Sequence, residues 1–318
     1  MKKFTKLALA ASVAFSANAM AMQAMDDASL SATTGQDGLT IGIGISKIEI
    51  EKLYVHDNDG YTGAGGTGDA GAIYIQGNGT GVTANHGVVI GANYDNNGRY
   101  LLPTRNLADL VIDSDAGDSA TGGAFINIAA AVSGLDINIG EIGVAASGAE
   151  PGTTATSIRR GAVANSENAI LTGLGVKTGQ LYANIQLGAA PQGAMIKLNA
   201  TMLGGLTITD LGILDNSTKD GSRAAGEIFI EEIKLADANS RDLVLNQSIS
   251  VFGEDGNDKG YVRIVSTSGA HDNYVKGIHL GSRNATSIGD MEVQGLQTYY
   301  SPAMGQYLPG AIITIRGH

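Results

Sequence analysis

The sequence predicts an all-β protein: a β-solenoid or β-roll-like elongated domain with a short N-terminal capping helix, the β-sandwich being the alternative. Three observations lead there. Brief runs of alternating aliphatic and polar residues recur from Leu39 to Ile315, each interrupted by Gly, Asn or Asp. Glycine supplies 46 of 318 residues, yet 43% of the chain is hydrophobic, so corners are plentiful and a core can still form. Convincing helical periodicity is almost absent after residue 38.

Residues 1–21 read as a secretory signal peptide. Lys2, Lys3 and Lys6 precede an apolar run over residues 7–15, which is too short to span a bilayer of about 30 Å as a helix. Ala17-Asn18-Ala19 and Ala19-Met20-Ala21 are both small-x-small cleavage sites, and the second is favoured, giving a mature start at Met22. The expected destination is the cell surface or the exterior, with the periplasm as the other address. The formal charge of −11 becomes more negative once those lysines are removed, which disfavours nucleic acid and anionic membranes as partners. Cysteine is absent, so no disulfide framework can supply cohesion and thiol catalysis is excluded. No later apolar run is long enough for a transmembrane helix.

Residues 22–38 form an N-terminal capping segment, followed by a glycine-rich β domain over residues 39–318. Within Met25-Asp26-Asp27-Ala28-Ser29-Leu30-Ser31-Ala32-Thr33-Thr34-Gly35, Asp26 suits an N-cap and Asp27 the positive end of the helix dipole. Gly35 suits the left-handed C′ position, and Met25 with Leu30 are spaced as a hydrophobic staple. Such a helix serves either to cap the β domain or as a segment recognised by export or assembly machinery.

In the β domain, Leu39, Ile41, Ile43 and Ile45 share one parity. The phase flips to Ile48 and Ile50, and flips again to Leu53 and Val55. A chain that turns a corner or bulges while keeping its aliphatic side inward behaves this way. Gly123-Ala124-Phe125-Ile126-Asn127-Ile128 recurs as Gly193-Ala194-Met195-Ile196-Lys197-Leu198. Gly134-Leu135-Asp136-Ile137 recurs as Gly205-Leu206-Thr207-Ile208, and Gly38-Leu39-Thr40-Ile41 is a third example. Weak recurrence of a strand-turn unit favours the solenoid. A sandwich would favour tight two-residue hairpins, and few Asn-Gly or Asp-Gly pairs sit between clean strands. Residues 56–71 and 147–160 read as protruding polar loops.

Asp26-Asp27-Ala28-Ser29-Leu30-Ser31 and Thr34-Gly35-Gln36-Asp37-Gly38-Leu39-Thr40-Ile41, following a signal peptide, resemble the N-terminus of Fil-type (FilA-like) pilus-system exported proteins of Gram-negative bacteria. The match covers about residues 22–45, and the remainder is similar only in character. The resemblance implies an exported component of a surface filament or of its assembly system, with no enzymatic activity and no catalytic motif to transfer.

The residues themselves offer little chemistry. Gly63-Ala64-Gly65-Gly66-Thr67-Gly68 fits the dinucleotide spacing but lacks the strand before it and the helix after it that such a site needs. His56, His86, His271, His279 and His318 have no zinc-type spacing. Glu231 and Glu232 read as a solvated edge. Asp57-Asn58-Asp59-Gly60, the run from Asp113 to Asp118, and Asp255-Gly256-Asn257-Asp258 place oxygens as calcium would want them, although turn chemistry explains them without a metal. No catalytic residue and no cofactor are expected. The terminal run Ala311-Ile312-Ile313-Thr314-Ile315 suits pairing with another chain.

The expected function is a non-enzymatic structural or accessory component of a surface filament, partnered by copies of itself or other filament proteins. The alternative is an adhesin or matrix-binding module whose tyrosines (Tyr54, Tyr61, Tyr74, Tyr94, Tyr100, Tyr299 and Tyr300) stack on glycans.

Overall fold

A computed structural model describes residues 38–256 and 259–317. The expected signal peptide and the helix of residues 25–35 lie outside the described residues. The chain divides into two units, Met1–Leu39 and Thr40–His318, and the strands belong to the second except for Leu39.

The chain is a meander. It enters a first sheet as β1 (Leu39–Ile43), turns at residues 44–46, and continues in a second sheet as β2 (Lys47–Ile50) and β3 (Lys52–Asp57). It returns through β4 (Gly71–Gln76) and β5 (Val88–Ala92) to the first sheet as β6 (Ala108–Asp115). β7 (Phe125–Val132), β8 (Leu135–Ile139) and β9 (Glu141–Ala146) go out again, and β10 (Asn168–Lys177) with β11 (Leu181–Gly188) come back. β12 (Ile196–Met202) and β13 (Leu206–Asp215) lead out, β14 (Gly226–Asp237) and β15 (Leu243–Phe252) return, then β16 (Tyr261–Ser266) and β17 (His271–Gly281) lead out once more. β18 (Gly289–Leu296), a small hairpin of β19 (Tyr299–Tyr300) and β20 (Leu308–Pro309), and β21 (Ala311–Ile315) complete the last return.

The first sheet has 8 strands, in the order β1-β6-β7-β11-β12-β15-β16-β21. The second has 11, in the order β2-β5-β8-β10-β13-β14-β17-β18 with β3, β4 and β9 extending its early part. Spatial order follows chain order in both, so eight long segments lie side by side. Most crease at a short link between sheets, while residues 93–107 join β5 to β6 and the β19–β20 hairpin stands between β18 and β21. The ladders are antiparallel. The protein is therefore all-β with open sheets. The sandwich alternative fits this arrangement, whereas the stacked rungs of a solenoid are not what the described residues show.

Backbone groups at the crease are satisfied locally, as buried polar groups must be. Ser133, fully buried, donates from Oγ to the Asn106 carbonyl (2.6 Å) and accepts from the Leu102 amide (3.0 Å). Thr178 accepts the Leu135 amide on Oγ1 (2.9 Å), and its carbonyl accepts Asn93 Nδ2 (3.0 Å). Gly134 permits the close approach: a Cβ there would lie 2.6 Å from the Thr178 carbonyl oxygen. Leu102, Met202 and Leu243 are buried in the same belt.

A second crease runs across the second sheet. The Gly87 amide donates to Glu51 O (2.9 Å) and the Gly140 amide to Gly87 O (2.8 Å). Farther along, Asp210 (φ 56°) and Gly277 (φ 64°) take left-handed backbone where the strand registers skip. Here the aliphatic phase slips by three residues, from Ile208 to Leu211, Ile230 to Ile233 and Val275 to Ile278. The phase flips legible near Ile45 and Ile50 likewise fall at the two creases. Glu231 and Glu232 sit at this slip in β14, an interior strand between β13 and β17 rather than an edge. The expected solvated edge is thus corrected: the two consecutive acids sit at a bulge in an interior strand, both partly buried.

Although registers skip at bulges in the second sheet, aliphatic side chains still line up in rows. In the first sheet Ile112, Ile128, Ile185, Ile196, Ile249, Ile264 and Ile313 are successive cross-strand partners. In the second, the row is Ile48, Ile90, Ile137, Val176, Ile208, Ile233, Val275 and Met291. Cross-strand β-branched pairs of this kind stabilise a sheet by roughly 0.2–1 kcal/mol each. The recurring sequence units also find their explanation, since each Gly-Leu-x-Ile at 134 and 205 begins a strand (β8, β13) just beyond the first crease.

Candidate interaction surface

Open sheets leave strands at their margins with one side unpaired, and such margins are templates for further pairing. Among the described residues the first sheet ends in β1 and β21, and the second in β2 and β18 along its main order. The terminal run singled out in the sequence is β21. It pairs with β16 from Val262↔Ile315 to Ser266↔Ala311, and no described strand covers its other side. It carries no charge, proline or bulge of the kind that blunts edges. Ile313 and Ile315 are 54% and 57% exposed, and Leu39 on β1 is 56% exposed.

The side facing away from the aliphatic rows is polar or aromatic. Arg316 lies 5.3 Å over the Tyr261 ring, Tyr261 stacks on Phe252 (4.8 Å), and Arg263 lies 4.8 Å over Phe252. This ladder backs the last strand with cation–π attraction. On β18, Asp290 accepts the Tyr274 hydroxyl (2.7 Å) and the Gly277 amide (2.9 Å). Those hydrogen bonds, the tyrosine's first, hold the Asp290 carboxyl below its usual range. On β2, the hydrogen bond and charge of Lys47 lower the Glu49 carboxyl despite some desolvation.

Other residues flagged in the sequence have structural partners. The Gly63–Gly68 stretch lies in the β3–β4 hairpin loop, where the Gly68 amide bonds Tyr61 O (3.1 Å) and no helix opens toward a phosphate. The two polar loops meet: His56 Nδ1 is 2.6 Å from Ser147 Oγ, and Arg160 Nη1 donates to Asn58 Oδ1 (2.6 Å). No sequence signal paired those loops. His279 contacts Ala285 O through Nδ1 (2.6 Å) and Glu231 Oε1 through Nε2 (3.3 Å). Asp115 and Asp118 accept nearby amides, from Gly117 (2.6 Å) and Ala120 (2.9 Å), as turn-capping acids do. Asn257 and Asp258 lie outside the described residues. Among the described residues, no group of three or more metal-binding side chains converges. The tyrosines fall in separate places: Tyr54 stacks on His56, Tyr74 is buried, and Tyr299 pairs opposite Pro309. No described helix is long and apolar enough to cross a membrane.

Comparison with known proteins adds one likeness. Residues 1–100 match the model of a family of unknown function, DUF6160. That stretch takes in β1 to β5, including the whole first edge segment. No curated protein and no solved structure matches the chain.

Proposed function

We propose that this chain is an exported, non-enzymatic structural component of a surface filament, working through its sheet edges on copies of itself or on other filament proteins. The observation that carries the reading is the first sheet's aliphatic row ending on an exposed, unblunted edge, Ile313 on β21. A closed globular carrier or enzyme gains nothing from such edges, and natural sheets usually blunt them. In this reading the creased meander is a roll-like column: each added segment extends the same rows, as a solenoid's rungs would. The resemblance at Asp26-Asp27-Ala28-Ser29-Leu30-Ser31 to Fil-type pilus-system proteins, and the export signal before it, support the address at the cell surface.

Immunogold electron microscopy of cells with and without the gene tests this. Label along surface filaments that vanish with the gene supports it; label confined to the cytoplasm, with residues 1–21 still attached, overturns it.

A further inference from the structure

Resting on that structural role, a more specific arrangement follows. We infer that copies add head to tail by a screw operation, β21 of one pairing with β1 of the next while β18 pairs with β2. Three observations converge on it.

The first is parity. Eight segments alternate in direction, so the first and the last run opposite ways. Shifting a whole copy along the stacking direction therefore sets its first segment antiparallel to its neighbour's last, in both sheets at once. An odd number of segments would have forced a parallel junction. The natural twist of the sheets makes the shift a screw, and a heterologous contact that does not close grows an open filament.

The second is side-chain phase. Ile313 and Ile315 on β21 lie on the aliphatic side, as successive partners of Ile264 and Val262. On β1, a Cβ at Gly42 would approach Asp109 Oδ1 on the polar side, so Leu39, Ile41 and Ile43 lie on the aliphatic side. In the second sheet Ile48 and Met291 occupy the same row at opposite edges. Aliphatic rows thus run on across the junction without a change of face.

The third is charge. Exposed β18 presents Asp290 and Glu292 with no base, whereas the first segment balances Lys47 and Lys52 against Glu49 and Glu51. Two last segments brought together would instead oppose acid to acid, which disfavours a back-to-back pair.

The absence of native cysteine makes the test clean. Thr40→Cys on β1 and Thr314→Cys on β21 are exposed and face the polar side. A short bis-maleimide linker tolerates a register offset of two residues, about 7 Å. With melting curves matching the parent, the double variant is expected to cross-link into a ladder of dimers, trimers and longer products. An equal mixture of the two single variants should stop at the heterodimer, and each single variant alone should remain monomeric. Self-linking of either single variant, or no ladder from the double one, overturns the arrangement. The two readings fail separately. A ladder from purified chain with no label on surface filaments removes the filament role alone. Labelled filaments whose double variant does not cross-link remove the head-to-tail pairing alone.

Discussion

Ile48 and Met291 terminate one cross-strand row at opposite edges of the second sheet. Each strand of the main order between them contributes one aliphatic side chain to that row, although several of the ladders skip register at bulges elsewhere along their length. Under the proposed filament role, that continuity makes the edges the surface to test. Replacing Ile313, near the end of the corresponding row in the first sheet, should therefore separate folding from assembly. Ile313→Lys sits on a half-exposed edge, so its cost to the monomer is expected below about 1 kcal/mol, while edge pairing is lost. Urea unfolding and sedimentation velocity read the two effects independently.

Glu227 is buried and held by Arg283, whose Nη2 lies 2.7 Å from Oε1 and whose Nε lies 3.2 Å from Oε2. Burial raises its carboxyl pKa, but the side-chain and backbone hydrogen bonds of Arg283, with Thr172 and the guanidinium charge, outweigh it and leave the group below 4.5. A carboxyl lowered by folding contributes stability above its unfolded pKa and loses it as pH falls through the folded one. Stability should thus fall as pH drops below about 4.5, and less steeply in Glu227→Gln, which costs roughly 1–3 kcal/mol at pH 7. Thermal melts at pH 7 and pH 4 check both statements.

Cohesion should be concentrated at the first crease. Leu243, 2% exposed, lies in that belt, whereas Leu280, 52% exposed, lies at the far end of β17. Leu243→Ala is expected to cost about 2–5 kcal/mol and Leu280→Ala less than about 1 kcal/mol. Ser133→Ala, which strips partners from Leu102 N and Asn106 O, should cost about 1–3 kcal/mol. Denaturant midpoints of the three variants give the comparison.

Tyr74 crosses Gly143 in the neighbouring strand and donates to Glu141 Oε1 (2.8 Å). Burial first, then that carboxylate, pushes its phenol well above the usual range. A Cβ at Gly143 would press on the Tyr74 ring and on the Asn168 carbonyl. Gly143→Ala should destabilise by about 1–3 kcal/mol through overpacking, and Tyr74→Phe by about 1 kcal/mol through the lost hydrogen bond. Calorimetry of each variant would reveal the difference.

Much of this was legible in the chain. Alternation of period two marks the strands, and the flips at Ile45–Ile48 and Ile50–Leu53 mark both creases, because a bulge or corner must shift parity to keep aliphatic residues on one side. Ala311-Ile312-Ile313-Thr314-Ile315 was visible as an edge candidate from its lack of charge and proline. The second edge was not, since β1, β2 and β3 look like any other strands until their neighbours are known. The meeting of His56 with Ser147, 91 residues apart, is equally invisible to local pattern.

Sequence alone marked most of the extended runs and the two parity flips near Ile45 and Ile50, because those depend on near neighbours; it named no run for β10, β17 or β18. Only the tertiary structure decided that strands pair antiparallel in chain order and that, among the described residues, the eight segments leave unpaired margins. Alternation has the same period in parallel and antiparallel sheets, and the hairpins here close through loops longer than the tight turns that announce themselves in sequence.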